Sequence, residues 1–223
     1  MKLGLWVNVI GVLMVMSLPL SVGAAEQKKA PAAITMTSNS DLSKLTPHQV
    51  LDEVTGKVVG IARREGDKIK AEPAAYYDEF SAILDSVIDF PFIAKAVMGK
   101  QYYPSATQKQ RDGFAEAFKR DLIKTYTGAL AIYSDREFKI LPSSDAVPAT
   151  GRLSVIQQVT GPEGKLEVAY TMARKNATDP WKMINFTLPG QGVNLGATAR
   201  TQFAQAMASN KGDLDALILN WGK

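Results

Sequence analysis

The chain has 223 residues, of which 46% are hydrophobic and 22% are charged. This composition is typical of globular proteins and excludes disordered, collagen-like and low-complexity classes. Cysteine is absent, which excludes disulfides, thiolate metal sites and cysteine nucleophiles. Histidine occurs once, at His48, so most histidine-based metal sites and proton relays are excluded as well.

Residues 1–25 have the pattern of a secretory signal peptide. Lys2 precedes an uncharged, mostly apolar stretch, and the small residues that follow predict cleavage after Ala24 or Ala25. An uncleaved membrane anchor is the alternative, but the apolar stretch is short for a span and contains Gly, Asn and Pro. We therefore predict an exported, periplasmic protein. Because no cysteine follows the predicted cleavage site, we expect no lipoprotein anchor.

Two further segments follow the predicted signal peptide. Residues 26–43 are rich in Ala, Lys, Ser, Thr and Pro, and this composition predicts a flexible leader. Residues 44–223 contain no second linker and are expected to form one domain. The formal net charge of +4 is only mildly basic, so nucleic-acid binding is not expected.

Apolar residues at helical spacing predict four helices before residue 137. Thr46 is expected to cap the first helix in a capping box with Gln49. A second helix follows a proline, a short third helix is closed by Gly99, and Ser105 or Thr107 caps a long fourth helix.

The long helix carries an apolar stripe at a strict spacing of four residues. Four residues turn about 400°, so the stripe drifts around the helix by about 40° per step. One end of the helix can therefore face a sheet while the other end faces different elements. The stripe consists of Phe114, Phe118, Leu122, Tyr126 and Leu130.

From Glu137 the apolar residues alternate, which predicts strands. Strands are expected at 137–141, 152–160, 165–175 and 181–188. A turn at 161–164 joins the second strand to the third. The fourth strand is expected to place Lys182, Ile184, Phe186 and Leu188 on one face. Helices from about Asn194 and Asp213 follow, so the pattern indicates an α+β fold.

No set of residues indicates catalysis. His48 lies in the first turn of a helix, where histidine is more often solvent-exposed than catalytic. Gly190-Gln191-Gly192 lacks the further residues of a phosphate-binding loop and is better explained as a tight turn. The carboxylates lie on helix faces without a distinct acid/base pair. We expect a protein that is not an enzyme and needs no metal or cofactor.

Large apolar residues are plentiful on the predicted strands and helices. They can form an ordinary two-layer core, or a curved sheet wrapped by helices can enclose a cavity for an apolar ligand. Composition leaves both possibilities open.

A series of short motifs extends over nearly the whole chain from about Thr46. The motifs are Asp89-Phe90, Ile93-Ala94, Val97-Met98-Gly99, Tyr102, Gln110-Arg111, Phe114, Phe118, Leu122, Thr125-Tyr126, Ala129-Leu130, Trp181-Lys182, Gly192-Val193-Asn194-Leu195, Arg200-Thr201-Gln202-Phe203 and Gly212-Asp213-Leu214-Asp215-Ala216-Leu217-Ile218. In their order and spacing these residues are similar to the MlaC family of periplasmic phospholipid-binding proteins, also called toluene-tolerance proteins. Met98 and Tyr103 depart from the family, which often has Leu and Trp there.

The resemblance implies a fold and a function. The fold would be N-terminal helices wrapped around a curved antiparallel sheet of about four to five strands, with closing C-terminal helices, as in nuclear-transport-factor-like proteins. The function would be to carry phospholipid between an outer-membrane lipoprotein complex and an inner-membrane ABC transporter with a mammalian-cell-entry domain. Such transport maintains outer-membrane lipid asymmetry. The protein would be a monomer.

The resemblance also implies an apolar cavity between sheet and helices that holds acyl chains. The expected lipid-binding residues are chosen from the apolar stripe of the long helix and the apolar faces of the strands. Val97, Met98 and Val193 are expected at the rim of the cavity. The others are Phe118, Leu122, Tyr126, Tyr170, Met172, Ile184 and Phe186.

Two alternatives to a lipid carrier remain at this stage. A periplasmic chaperone or adaptor would bind apolar peptide in a surface groove. An enzyme on a related fold would use an acid/base residue such as Asp89.

A basic run along the first helix is either a solvated face or a docking patch for an anionic membrane or acidic partner. It consists of Lys57, Arg63, Arg64, Lys68 and Lys70.

Overall fold

The structure is a computed structural model that describes residues 41–222, without the side chains of residues 128–132. The predicted signal peptide, both cleavage positions and residues 26–40 of the predicted leader lie outside the described residues. Short 3-10 turns occupy Leu42–Lys44 and Pro73–Tyr76. The helices of the described part are α1 (Pro47–Ala71), α2 (Tyr77–Asp85), α3 (Phe90–Tyr102), α4 (Gln108–Ile132), α5 (Leu195–Ser209) and α6 (Leu214–Asn220).

Local capping explains where the helices begin. The Gln49 backbone N–H donates to the Thr46 hydroxyl oxygen at 3.3 Å, and the Thr46 N–H donates to Gln49 Oε1 at 2.9 Å. Thr107 and Gln110 form the same reciprocal box before α4, with distances of 3.2 and 3.0 Å. These boxes supply partners for N–H groups that a helix leaves free, so the predicted helix starts are confirmed.

Gly99 interrupts α3 at the position that the sequence indicated. Its φ of +66° and ψ of −171° lie outside the helical region, although hydrogen bonding resumes up to Tyr102. A residue with a Cβ would be strained at this φ, so glycine permits the change of direction.

The strands form one antiparallel sheet in chain order. The strands are β1 (Glu137–Ile140), β2 (Gly151–Gly161), β3 (Gly164–Arg174), β4 (Lys182–Leu188) and β5 (Val193–Asn194). Gly161 pairs with Gly164 across the predicted turn, which makes β2 and β3 a hairpin. Helices on either side of this meander in the chain confirm the α+β class.

A β-bulge at the start of β4 corrects one prediction. Thr171 and Met172 are neighbours on β3, but their partners Asn185 and Met183 are two residues apart on β4. One extra residue therefore enters β4, and the alternation of side chains reverses there. Lys182 pairs with Ala173 and lies on the opposite side from Met183, so the expectation that it shares a face with Phe186 was wrong.

Helices α1 and α4 pack against each other, and α1 also packs on β1 and β2. Helix α4 further contacts α2, α3 and α6. Its side chains Phe114, Phe118 and Ile123 are completely buried, which makes α4 the central helix of the core. Within residues 41–222, no helix combines the length and the apolar character that crossing a membrane requires.

Candidate functional site

One side of the sheet faces the helices, and we call it the helix-facing side. The register puts Leu153 beside Met172 and Val155 beside Tyr170 on this side. Gln157 lies two residues further along β2, and its side-chain amide donates to the hydroxyl oxygen of Thr55 on α1 at 2.8 Å. Polar as well as apolar groups therefore connect the sheet with the helices.

Burial on the helix-facing side decreases toward the Gly161–Gly164 turn. Val155 and Met172 are fully buried, and Leu153 is nearly so. Apolar side chains on the same side remain half-buried nearer the turn. These side chains are Phe138, Ile140, Val159, Leu166 and Val168. The helices thus leave part of an apolar sheet face accessible, and such a surface can receive an apolar ligand.

Three of the predicted site residues come together beside this accessible surface. The ring of Tyr126, on α4, meets Phe186 edge-on at 5.7 Å between centroids. Phe186 lies opposite Tyr170 in the sheet, with their rings 6.4 Å apart. These contacts join α4 to β3 and β4.

The two tyrosine hydroxyls differ in their hydrogen bonds. The Tyr170 hydroxyl donates to Gln157 Oε1 at 3.0 Å, whereas the buried Tyr126 hydroxyl has no partner among the described residues. Burial raises the pKa of Tyr170 to about 12. Burial, with a smaller contribution from Tyr170, also raises the pKa of Tyr126 well above its usual range. Both groups are therefore neutral at physiological pH.

Phe118 lies in a different aromatic cluster. It contacts Phe114 at 6.2 Å and Trp221 at 6.4 Å, while Phe203 from α5 meets Phe114 at 4.9 Å. This cluster joins α4 to the C-terminal helices rather than to the sheet. A lipid contact by Phe118 stays a prediction.

The remaining predicted site residues are buried. Val97, Met98 and Val193 are only 3%, 2% and 8% exposed, which differs from the rim position expected for them. Leu122, Met172 and Ile184 are likewise buried. Their part in a lipid-binding site stays a prediction.

Sequence reasoning missed several residues of the helix-facing side. Leu166 and Val168 were visible as alternating residues on β3, but no signal in the strand distinguished half-buried positions from buried ones. Gln157 is a single polar residue in an apolar alternation, and such an exception could have indicated a buried polar contact.

Asp89 has a structural role in α3. Its carboxylate oxygen accepts the Phe92 backbone N–H at 2.9 Å, which caps the helix. It also borders a groove of about 510 Å³ that includes Asp85, Lys119 and Lys182. Lys119 Nζ pairs with the Asp85 carboxylate at 2.6 Å.

Lys182 caps the C-terminal end of α2. Its ammonium group donates to the carbonyl oxygens of Ser86 at 2.6 Å and Asp85 at 3.0 Å, and burial lowers its pKa. Asp85, Asp89, Lys119 and Lys182 of the groove thus serve as helix caps and ion-pair partners. Among the described residues, no group of three His, Asp or Glu side chains could hold a metal ion.

The basic run on α1 is largely engaged within the chain. Arg63 donates to the carbonyl oxygens of Ser134 and Arg136 at 2.9 and 3.0 Å, which fixes the loop after α4. The lysines pair with neighbouring carboxylates on the same helix. These pairs are Lys57–Glu53, Lys68–Glu65 and Lys70–Asp67. This pattern favours a solvated face over a docking patch.

Fold and site together define an α+β protein whose antiparallel sheet presents a partly accessible apolar side beneath two long helices. The sequence matches the MlaC protein family over residues 52–223, and the chain belongs to that family. The family resemblance expected from the sequence is thereby confirmed.

Two similar proteins extend this assignment. The chain is 35% identical over 177 residues to the toluene tolerance protein ttg2D of Pseudomonas putida, covering 79% of this chain and 80% of that protein. A solved structure of a phospholipid-binding protein from Ralstonia solanacearum, in complex with a phospholipid, superposes with a TM-score of 0.67 at 20% identity. The alignment covers 78% of this chain and 94% of that one, and it supports the same fold.

Proposed function

We propose that this protein is a periplasmic phospholipid carrier that holds acyl chains against the helix-facing side of its sheet. The observation that carries the proposal is the half-buried apolar surface toward the Gly161–Gly164 turn, in a chain that belongs to the MlaC family. The phospholipid bound to the Ralstonia protein of the same fold supports the proposed ligand.

The physical chemistry of lipid transfer fits such a surface. Two acyl chains contain about 30 methylenes, and exposing each to water costs about 0.8 kcal/mol. About 24 kcal/mol therefore opposes free diffusion of a lipid through water. A protein interior exchanges one apolar medium for another, so transfer from a bilayer can lie near equilibrium and remain reversible. The carrier makes and breaks no bond and needs no catalytic group.

The transport route is part of the proposal. Lipid would pass between an outer-membrane lipoprotein complex and an inner-membrane ABC transporter with a mammalian-cell-entry domain, which maintains outer-membrane lipid asymmetry. Any energy coupling would then belong to the membrane partner. The carrier would be exported by its signal peptide, and residues 44–223 would act as a monomeric binding domain.

The proposed lipid contacts fall into two groups. Tyr126, Tyr170 and Phe186 lie together at the sheet and are the first candidates for contact with acyl chains. The other candidates would reach the lipid only from within the apolar interior. They are Val97, Met98, Phe118, Leu122, Met172, Ile184 and Val193.

Native mass spectrometry tests the proposal directly. The mature protein is purified from a periplasm without detergent, and bound material is extracted into organic solvent. We expect stoichiometric diacyl phospholipid. An empty protein that also fails to take lipid from liposomes would contradict the carrier and favour an adaptor that binds apolar peptide.

A matched pair of variants locates the lipid. Val168→Asp places a charge on the half-buried helix-facing side, whereas Ser154→Asp places it on the exposed opposite side. Because an acyl chain cannot solvate a carboxylate, we expect Val168→Asp to lower lipid occupancy at least tenfold and Ser154→Asp to leave it unchanged. Equal occupancy in both variants would place the lipid elsewhere.

A further inference from the structure

The hydroxyl group of Tyr126 is a buried hydrogen-bond donor that the described part of the protein leaves unused. It lies on α4, and its ring packs edge-on against Phe186 of the sheet. Within residues 41–222, the side chains of 128–132 apart, no group accepts its proton. Buried polar groups in proteins normally have a partner, so an unpartnered hydroxyl indicates that a ligand or a water molecule completes it.

A chain of hydrogen bonds links the second tyrosine, Tyr170, to α1. The Tyr170 hydroxyl donates to Gln157 Oε1 at 3.0 Å, and Gln157 Nε2 donates to Thr55 Oγ1 at 2.8 Å. These bonds run in one direction, from the sheet to α1. Tyr126 packs on the same Phe186 ring as Tyr170 but takes no part in these bonds, so its hydroxyl is an additional donor.

The surroundings select the chemistry of the acceptor. Tyr170 packs on the same Phe186 ring as Tyr126 and bonds onward to Gln157 and through it to Thr55, and all three of these polar side chains are uncharged. Burial first, and the electrostatic effect of Tyr170 second, raise the pKa of the Tyr126 hydroxyl, so the groups that shift it include no cation. A buried phosphate would need a cation or several donors to replace its hydration, whereas a neutral carbonyl oxygen needs one donor.

We propose that the Tyr126 hydroxyl donates a hydrogen bond to an ester carbonyl oxygen of the bound diacyl lipid, making it a specificity-determining residue for ester-linked lipid. This inference rests on the proposed lipid carriage and adds the position of the glycerol ester region. The charged headgroup would then lie beyond the rings of Tyr126, Tyr170 and Phe186, away from this neutral interior.

Ester and ether lipids provide the test because they differ at the proposed acceptor. Diester and diether phosphatidylethanolamines with equal chain lengths are mixed one to one in liposomes, and native mass spectrometry measures which lipid the protein takes. Ether linkages lack the carbonyl oxygen. One hydrogen bond of ordinary net strength corresponds to a three- to tenfold preference, so we expect the wild type to prefer the diester by about this factor.

Two variants test the role of the Tyr126 hydroxyl itself. Tyr126→Phe removes the hydroxyl and keeps the ring that packs on Phe186, so the preference is expected to fall close to one. Tyr76→Phe makes the same chemical change at a hydroxyl that donates to Glu65 at 3.3 Å, outside the proposed lipid contacts, and is expected to keep the preference.

Three results would overturn the assignment. Equal loading of both lipids by the wild type would mean that water completes the hydroxyl. An undiminished preference in Tyr126→Phe would place the ester elsewhere. Failure of the wild type to load either lipid would contradict the carrier itself, and with it the role of Tyr126. The wild-type preference needs no variant, so the test holds even if one variant fails to fold.

Discussion

At the scale of single residues, Tyr126 and Tyr170 differ chiefly in whether the hydroxyl has a partner. Both rings contact Phe186, but only the Tyr170 hydroxyl is hydrogen-bonded within the protein. Removing a hydroxyl therefore has opposite consequences at the two positions. At Tyr126 the loss of the hydroxyl removes an unpaired buried donor. At Tyr170 the same loss leaves the Gln157 side-chain oxygen without its donor.

This difference predicts opposite changes in the stability of the lipid-free protein. We expect Tyr126→Phe to raise the free energy of unfolding by about 1 kcal/mol, because an unsatisfied buried hydroxyl costs about 1–3 kcal/mol. We expect Tyr170→Phe to lower it by about 1–2 kcal/mol for the same reason. Urea denaturation of delipidated protein measures both. A loss of stability in Tyr126→Phe would show that its hydroxyl has a stabilising partner.

At the scale of elements, Asp89 has a structural role as the N-cap of α3. Its carboxylate accepts the Phe92 N–H, and an N-cap of this kind contributes about 0.5–2 kcal/mol. We expect Asp89→Ala to lower the free energy of unfolding by about 1 kcal/mol, and Asp89→Asn, which keeps an acceptor, to have little effect. Lipid loading should be the same in both. A selective loss of loading or of a turnover activity in both variants would revive a chemical role for Asp89.

The same elements show what sequence reasoning reached. The capping box at Thr46, a cap of the long helix at Ser105 or Thr107, the Gly161–Gly164 turn and the strand alternation all depend on residues a few positions apart, and each was predicted. The bulge in β4 depends on how β3 and β4 pair, and nothing within β4 indicates an extra residue. The face assigned to Lys182 was wrong for that reason.

Helix α4 shows the same limit within the site. The drift of its stripe predicted that its ends would face different elements, and Phe114 and Phe118 indeed join the C-terminal helices while Tyr126 meets the sheet. The sequence could not locate the residue at which the helix passes from one neighbour to the other, because that position depends on how α4 crosses the sheet. Phe118 was therefore grouped with Tyr126 although the structure separates them.

At the scale of the whole molecule, the accessible apolar surface results from incomplete coverage. The strand alternation predicted which side of β3 is apolar, and the family resemblance predicted the ligand. Neither could predict that Val155 is buried while Val168 is half-buried, because that depends on how far two helices extend over five strands. How far the helices cover the sheet is set by the complete fold and cannot be predicted from any one segment.

The buried tyrosines also couple the stability of the whole molecule to alkaline pH. An exposed tyrosine in the unfolded chain ionises near pH 10, whereas the pKa of Tyr170 in the folded protein is about 12. Between these values the unfolded state binds fewer protons than the folded state, so the free energy of unfolding falls as pH rises. Each such tyrosine contributes a slope of about 1.4 kcal/mol per pH unit.

We therefore expect full stability from the tyrosines below about pH 10 and a progressive loss between about pH 10 and 12. Urea unfolding at several pH values in this range measures the slope, and tyrosinate absorbance follows ionisation directly. Tyr170→Phe should have a slope shallower by about one proton. Because the other titrating side chains are the same in the two proteins, the difference between their slopes reports on Tyr170. An identical slope in wild type and Tyr170→Phe would mean that the Tyr170 hydroxyl ionises as readily in the folded protein as in the unfolded chain.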